Sequence, residues 1–135
     1  LGVEFVPIDQ LYSEADFIIL TCLATEQNRG MIDKSALSKM KKNAILINTS
    51  RGTLVNQKDL YEALDKGEIR SAGLDVTTPE PLPLDDPLFK LKNCVILPHI
   101  GSATEATRKE MMELAETNLI SGLTGKKISD RIRAA

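Results

Sequence analysis

Four short runs rich in isoleucine, valine and leucine recur along the chain with helix-like stretches between them: Phe17 to Thr21, Ala44 to Asn48, Ile69 to Asp75 and Cys94 to Leu97. This alternation is the pattern of a parallel sheet, because the crossover from the end of one strand to the start of the next needs a connection long enough to hold a helix. Strands covered on both faces read as unbroken apolar runs, so Phe17-Ile18-Ile19-Leu20 and Ile45-Leu46-Ile47 are expected to be interior strands of a layered α/β fold. A fifth, shorter strand is expected near Val3 to Val6.

The helices have readable ends. Asp33 is placed to cap a helix carrying Leu37 and Met40, with Lys39, Lys41 and Lys42 at the negative end of its dipole. Asn56 with Asp59 opens a second helix, Leu60, Ala63 and Leu64 give it an apolar stripe, and Gly67 supplies a left-handed stop. A capping box of Ser102 and Glu105 is expected to start the last helix, with Met111, Ala115, Leu119 and Leu123 on one stripe and Lys109, Glu113 and Glu116 toward water. Between these elements, Thr77 to Pro87 holds four of the chain's six prolines and can form neither a helix nor a central strand. It is predicted to be a rigid loop.

A chain of 135 residues that is 42% hydrophobic can close one core, so one domain is expected over residues 1–123, with a solvated tail over 124–135. Seventeen basic against 19 acidic side chains leave a formal charge of -2, with no field to draw in nucleic acid or an anionic membrane. Small-molecule or protein partners fit better. No apolar run approaches the roughly 20 residues of a membrane span, and a soluble, cytoplasmic protein is expected. Cys22 and Cys94 fall in apolar runs without metal-site or redox spacing; they read as reduced core thiols, and no metal site is expected. The opening Leu1-Gly2-Val3-Glu4, with neither an initiator methionine nor a leader, reads as part of something longer.

In an open parallel sheet ligands bind beyond the carboxyl ends of the strands, and here those ends carry chemistry. Thr49-Ser50-Arg51-Gly52 follows the second run, Asp75 the third, and Pro98-His99-Ile100-Gly101-Ser102 the fourth. The guanidinium of Arg51 is a planar fork suited to a carboxylate, although a loop arginine can equally serve only the surface. His99 is the sole histidine, and histidine is the side chain whose ordinary ionisation falls in the cellular range; a lone histidine is also a common structural residue. Glu80, in Thr78-Pro79-Glu80-Pro81, sits where a braced carboxylate could orient an imidazole and favour its protonated form, or could simply be solvated.

The run from Met40-Lys41-Lys42-Asn43-Ala44 through Ile45-Leu46-Ile47-Asn48-Thr49-Ser50-Arg51-Gly52 to Thr53-Leu54-Val55-Asn56 resembles the long signature of the D-2-hydroxyacid dehydrogenases. Ala72-Gly73-Leu74-Asp75-Val76, Pro79-Glu80-Pro81-Leu82-Pro83 and Leu97-Pro98-His99-Ile100-Gly101-Ser102-Ala103-Thr104 follow in that family's order. Pro79 to Pro83 and the lead Asn93-Cys94-Val95-Ile96-Leu97 are most similar to its glyoxylate/hydroxypyruvate reductase branch.

The resemblance implies a Rossmann-like parallel sheet flanked by helices, the C-terminal part of a dinucleotide-binding domain. It implies reduction of glyoxylate and hydroxypyruvate, with NADP(H) favoured and NAD(H) the alternative, in a homodimer. Arg51 is then the substrate-carboxylate clamp, His99 the proton donor and Glu80 its orienting partner. Cys22, Leu23, Thr49, Asp75 and Gly101 line the cofactor, and Asp75, Ile100 and Ser102 join Arg51 and His99 around the substrate. Thr21-Cys22-Leu23-Ala24 departs from the family's usual proline-containing spelling, and the glycine-rich turn that receives a cofactor pyrophosphate is not in the sequence. On its own the chain is therefore expected to bind NADPH weakly and to turn over poorly. Two other readings stay open: an NAD-sensing corepressor-like binding module, and an inactive truncated dehydrogenase.

Overall fold

The computed structural model describes residues 2–128. Four strands, β1 (Phe17–Leu20), β2 (Ile45–Asn48), β3 (Ser71–Leu74) and β4 (Cys94–Ile96), join four helices, α1 (Ile8–Glu14), α2 (Lys34–Lys39), α3 (Gln57–Asp65) and α4 (Glu105–Leu123). All strands are parallel and lie side by side in chain order, with Ile18 opposite Leu46, Leu46 opposite Ala72 and Ala72 opposite Cys94. The aliphatic runs thus form the parallel sheet that their alternation predicts, in a Rossmann-like α/β arrangement.

Strand order decides where the core sits. Right-handed crossovers that all step in the same direction leave their helices on one face of the sheet. Tyr12 of α1, Ala36 and Leu37 of α2, and Leu60, Ala63 and Leu64 of α3 share one core cluster with Ile18, Leu20, Leu46, Ala72 and Leu74. The alternate strand residues point the other way, and in β1 they leave Phe17 63% and Ile19 56% exposed. β2 is the interior strand expected, between β1 and β3 with Ile45 and Ile47 part-buried, whereas β1, among the described residues, pairs on one side only and is open on its second face. Its sequence concealed this because both faces of the strand are apolar.

Val3 to Val6 form no strand, correcting the expectation of a fifth. Extended backbone needs a neighbour to bond with, and among the described residues β1 pairs only with β2. Helix α1 follows instead, unforeseen in the sequence; Pro7 (φ -54°) precedes it, Asp9 lies in its first turn and Tyr12 is its buried residue.

Helices α2 and α3 start as their caps predict. The Asp33 carboxylate accepts from the Ala36 N–H at 2.8 Å, and the Asn56 side chain accepts from the Asp59 N–H at 3.2 Å. Gly67, at φ +66°, ends α3 in the left-handed region. Two of the lysines at the end of α2 and just beyond it make exposed ion pairs, Lys39 with Asp9 at 2.7 Å and Lys41 with Asp16 at 3.0 Å, of the kind worth about 0–1 kcal/mol.

The chain divides into two compact units, one ending at His99 and one beginning at Ile100. In the second, the cap of α4 is Thr104, whose hydroxyl accepts from the Thr107 N–H at 3.2 Å, and not the expected pair of Ser102 and Glu105. A cap must directly precede the first helical residue, and Ser102 lies too far upstream. The predicted stripe of α4 is open, with Met111, Leu119 and Leu123 48%, 63% and 80% exposed, and the helix buries no residue. The core expected over residues 1–123 closes within the first unit. Of the predicted tail, residues 129–135 lie outside the described residues. No helix among the described residues is long and apolar enough to cross a membrane.

Candidate active site

The loops that leave the carboxyl ends of β1 to β4 form the rim where the sequence placed the chemistry. Two clefts open along it, one beyond β1 and β2, the other beyond β3 and β4.

The first cleft, of about 520 Å³, is lined by Thr21, Cys22, Leu23, Ala24, Thr25, Glu26, Arg29, Ser50, Arg51 and Thr53. Side-chain bonds to backbone shape it. Asn28 donates to the Leu23 carbonyl at 2.8 Å and accepts from the Thr25 N–H at 2.7 Å, folding the loop after β1. The Ser50 hydroxyl donates to the Cys22 carbonyl and ties that loop to the one after β2. Asn48, fully buried at the end of β2, donates to the Arg51 carbonyl at 2.9 Å and accepts from the Ser50 N–H at 3.1 Å. A short asparagine turn thereby presents Arg51. The exposed guanidinium donates to the carbonyl of Ser50 at 2.7 Å, and no carboxylate among the described residues pairs with it. Its fixed positive charge is open to a ligand anion.

The second cleft, of about 390 Å³, has Asp75, Thr77, Glu80 and His99 set among Pro81, Leu82, Phe89, Ile96, Leu97 and Pro98. His99 Nδ1 lies 2.5 Å from Glu80 Oε1, with both side chains part-exposed. The predicted partnership between the proline-rich loop and the end of the last strand is present. His99 takes φ +56°, a left-handed conformation that costs a non-glycine residue roughly 1–2 kcal/mol and is found where function holds the backbone. Two residues before it, the Leu97 N–H donates to the Leu74 carbonyl at 2.8 Å, anchoring the turn to β3. Asp75 is 6% exposed, and its backbone N–H donates to the Asn48 carbonyl at 2.9 Å.

The loops after β2 and β3 meet at Gly52. A Cβ there would stand 2.0 Å from the carbonyl oxygen of Thr77, a distance no side chain accepts, so the turn after β2 presses on the backbone after β3. The close approach that this glycine allows is to its own chain. Of the expected site residues, Cys22, Leu23 and Arg51 share the first cleft, and Asp75, Glu80 and His99 share the second. Thr49 is exposed at the end of β2, while Ile100, Gly101 and Ser102 begin the second unit directly after His99.

Neither cysteine is a fully buried core thiol. Cys22 is exposed because β1 ends at Leu20 and leaves it in the loop. Cys94, within β4, is half-buried, and burial followed by the charge of Asp86 pushes its thiol up to about 11. Asn28 and Asn48 were missed in the sequence. The signal for Asn48 was an asparagine closing an aliphatic run in phase with Leu46 on the covered face, where a polar side chain must find partners.

Known proteins resemble this chain along most of its length. The family described as the NAD binding domain of D-isomer specific 2-hydroxyacid dehydrogenases matches residues 1–101. A glyoxylate reductase/hydroxypyruvate reductase of Mus musculus is 56% identical over 130 residues, which is 96% of this chain and 40% of that protein. A glyoxylate reductase of Korarchaeum cryptofilum is 50% identical over 126 residues, 93% of this chain and 38% of that protein. Among solved structures, the TT0316 protein of Thermus thermophilus superposes with a TM-score of 0.92 at 43% identity, covering 98% of this chain and 42% of that one. The NADPH-dependent glyoxylate/hydroxypyruvate reductase of Sinorhizobium meliloti, solved with NADP and malonate, gives 0.90 at 29% identity, covering 100% and 44%. This chain spans about 40% of the length of the curated relatives it matches.

Proposed function

We propose a reductase site, from the premise that this chain belongs to the D-isomer specific 2-hydroxyacid dehydrogenase family, within its NAD-binding domain. The proposed reaction of the whole protein is reduction of glyoxylate and hydroxypyruvate to their 2-hydroxy acids. The observation that carries it is the contact of His99 Nδ1 with Glu80 Oε1 at 2.5 Å at the carboxyl end of the sheet.

Glu80 accepts the Nδ1 proton and fixes the ring, so Nε2 is the nitrogen that exchanges a proton with substrate. As the substrate carbonyl is reduced, negative charge grows on its oxygen, and the Nε2 proton of His99 meets that charge to leave a hydroxyl. Arg51 binds the substrate carboxylate through two parallel hydrogen bonds, the feature that separates a 2-oxo acid from a simple ketone. The hydride is the chemistry that a bound nicotinamide dinucleotide supplies.

The residues present fit the nicotinamide end of such a cofactor: a buried carboxylate, Asp75, among apolar walls at a sheet's carboxyl edge. Cys22, Leu23, Thr49, Asp75 and Gly101 are the proposed cofactor contacts, with Ile100 and Ser102 flanking the substrate. NADPH is the favoured form, in line with the NADPH dependence of the Sinorhizobium meliloti relative.

The test is NADPH absorbance followed on the intact encoded protein with each acid. Consumption with either supports the reading. Tight cofactor binding with no consumption of either acid would replace it with a binding module.

A further inference from the structure

The Glu80 carboxylate sits in a loop that runs from the end of β3 to the turn at Pro87–Lys90, most of which has little secondary structure to hold it. Both flanks of that loop are held by one side chain. Gln57, the first residue of α3, accepts from the Thr78 N–H through Oε1 at 3.2 Å and donates through Nε2 to Asp86 Oδ2 at 3.1 Å. Asp86 uses its other oxygen, Oδ1, to accept from the Leu88 N–H at 2.9 Å, so the bond from Gln57 reaches a residue already fixed to the following turn. Upstream, Gly52 abuts Thr77, and the Thr77 hydroxyl donates to the Pro79 carbonyl at 2.9 Å.

We infer that Gln57 is a positioning residue that sets Glu80 against His99 by clamping the two flanks of the proline-rich loop to the start of α3. This rests on the proposed role of the Glu80–His99 pair. The sense of the clamp is specific: the amide must accept at one end and donate at the other, and only glutamine does both with one side chain at this length. A glutamate keeps the first bond but sets a carboxylate against Asp86. If Asp86 is also changed to asparagine, donor and acceptor are exchanged, and both bonds can form again.

The experiment uses the intact protein labelled with ¹⁵N at histidine, with the His99 signal identified by its loss in His99→Gln. With the ring neutral at alkaline pH, a carboxylate at Nδ1 holds the proton there, whereas a free imidazole favours Nε2–H. Gln57→Ala and Gln57→Glu are expected to shift His99 toward the Nε2–H tautomer, as is Glu80→Leu, which removes the acceptor, and Gln57→Glu with Asp86→Asn to restore the Nδ1–H form. In parallel, kcat for glyoxylate falls about 10-fold in Gln57→Ala with KM within about twofold, a part of the usual general-acid contribution. An unchanged tautomer in folded Gln57→Ala overturns the inference, as does a double variant no better than Gln57→Glu alone. Should Gln57→Ala not fold, the exchanged pair still decides. If Glu80→Leu and His99→Gln both leave glyoxylate reduction intact, the functional reading fails while the tautomer still reports on the clamp.

Discussion

The two clefts on the rim are built in opposite ways. The first is made by side chains that bend backbone, Asn28, Asn48 and Ser50, and it presents a permanent charge on Arg51. The second is walled by Pro81, Leu82, Phe89, Ile96 and Pro98 and presents an imidazole, His99, the proposed proton donor, with its carboxylate partner. Anion binding needs a charge that never switches off, whereas proton transfer needs one that does. Placing them in separate loops lets each environment be tuned without spoiling the other.

The largest effect that would test this division is in the second cleft. His99→Gln in the intact protein is expected to lower kcat for glyoxylate by about 10²- to 10⁴-fold with KM nearly unchanged. A rise in KM without loss of turnover would show that the second cleft binds instead of reacting.

Next comes Arg51→Ala, for which kcat/KM is expected to fall about 10- to 100-fold, as for the loss of hydrogen bonds to a charged group worth about 1.5–3 kcal/mol. Most of the loss should appear in KM. Arg51→Lys should recover only part of it, because an ammonium cannot form the planar fork. Full recovery would argue for simple charge attraction.

Gly52→Ala strikes the seam between the loops after β2 and β3. The added methyl overlaps the Thr77 backbone, and a destabilisation of about 1–3 kcal/mol is expected, as for overpacking elsewhere, read as a lower denaturant midpoint. An unchanged midpoint would mean that the two loops can separate freely.

The thiols give the smallest effect. Exposed Cys22 should react with iodoacetamide in the native protein, while Cys94 should be slow until the pH nears its raised value of about 11. In the unfolded chain Cys94 ionises near its ordinary value of 9.0. Its burial therefore contributes stability that is fully present below pH 9.0 and declines as the pH rises toward about 11. Equal alkylation of both cysteines at neutral pH would remove this contrast.

Much of the scaffold was legible because it is encoded locally. The aliphatic runs marked all four strands, Asp33 and Asn56 marked two helix starts, and Gly67 marked an end, since each acts on backbone within a few residues. The partnership of Glu80 with His99 was also foreseen, from the family resemblance and the stiffness of the proline-rich loop. What escaped depends on who the neighbours are. Ile19 reads as a core residue, yet lies on a face that no described helix of the first unit covers. Met111 and Leu119 have core periodicity, but periodicity cannot say whether a partner is there. Helix α1 is only seven residues long, too short for a pattern to emerge. Gln57 is an unremarkable helix residue until both ends of the loop it clamps are placed in space.

The left-handed backbone at His99 sets durability against turnover. Glycine accepts that conformation without penalty, so a random search for heat-tolerant variants would be drawn to His99→Gly, which relaxes the main chain and deletes the proposed acid in the same step. On the proposed role, thermostability gained at this position comes at the expense of activity.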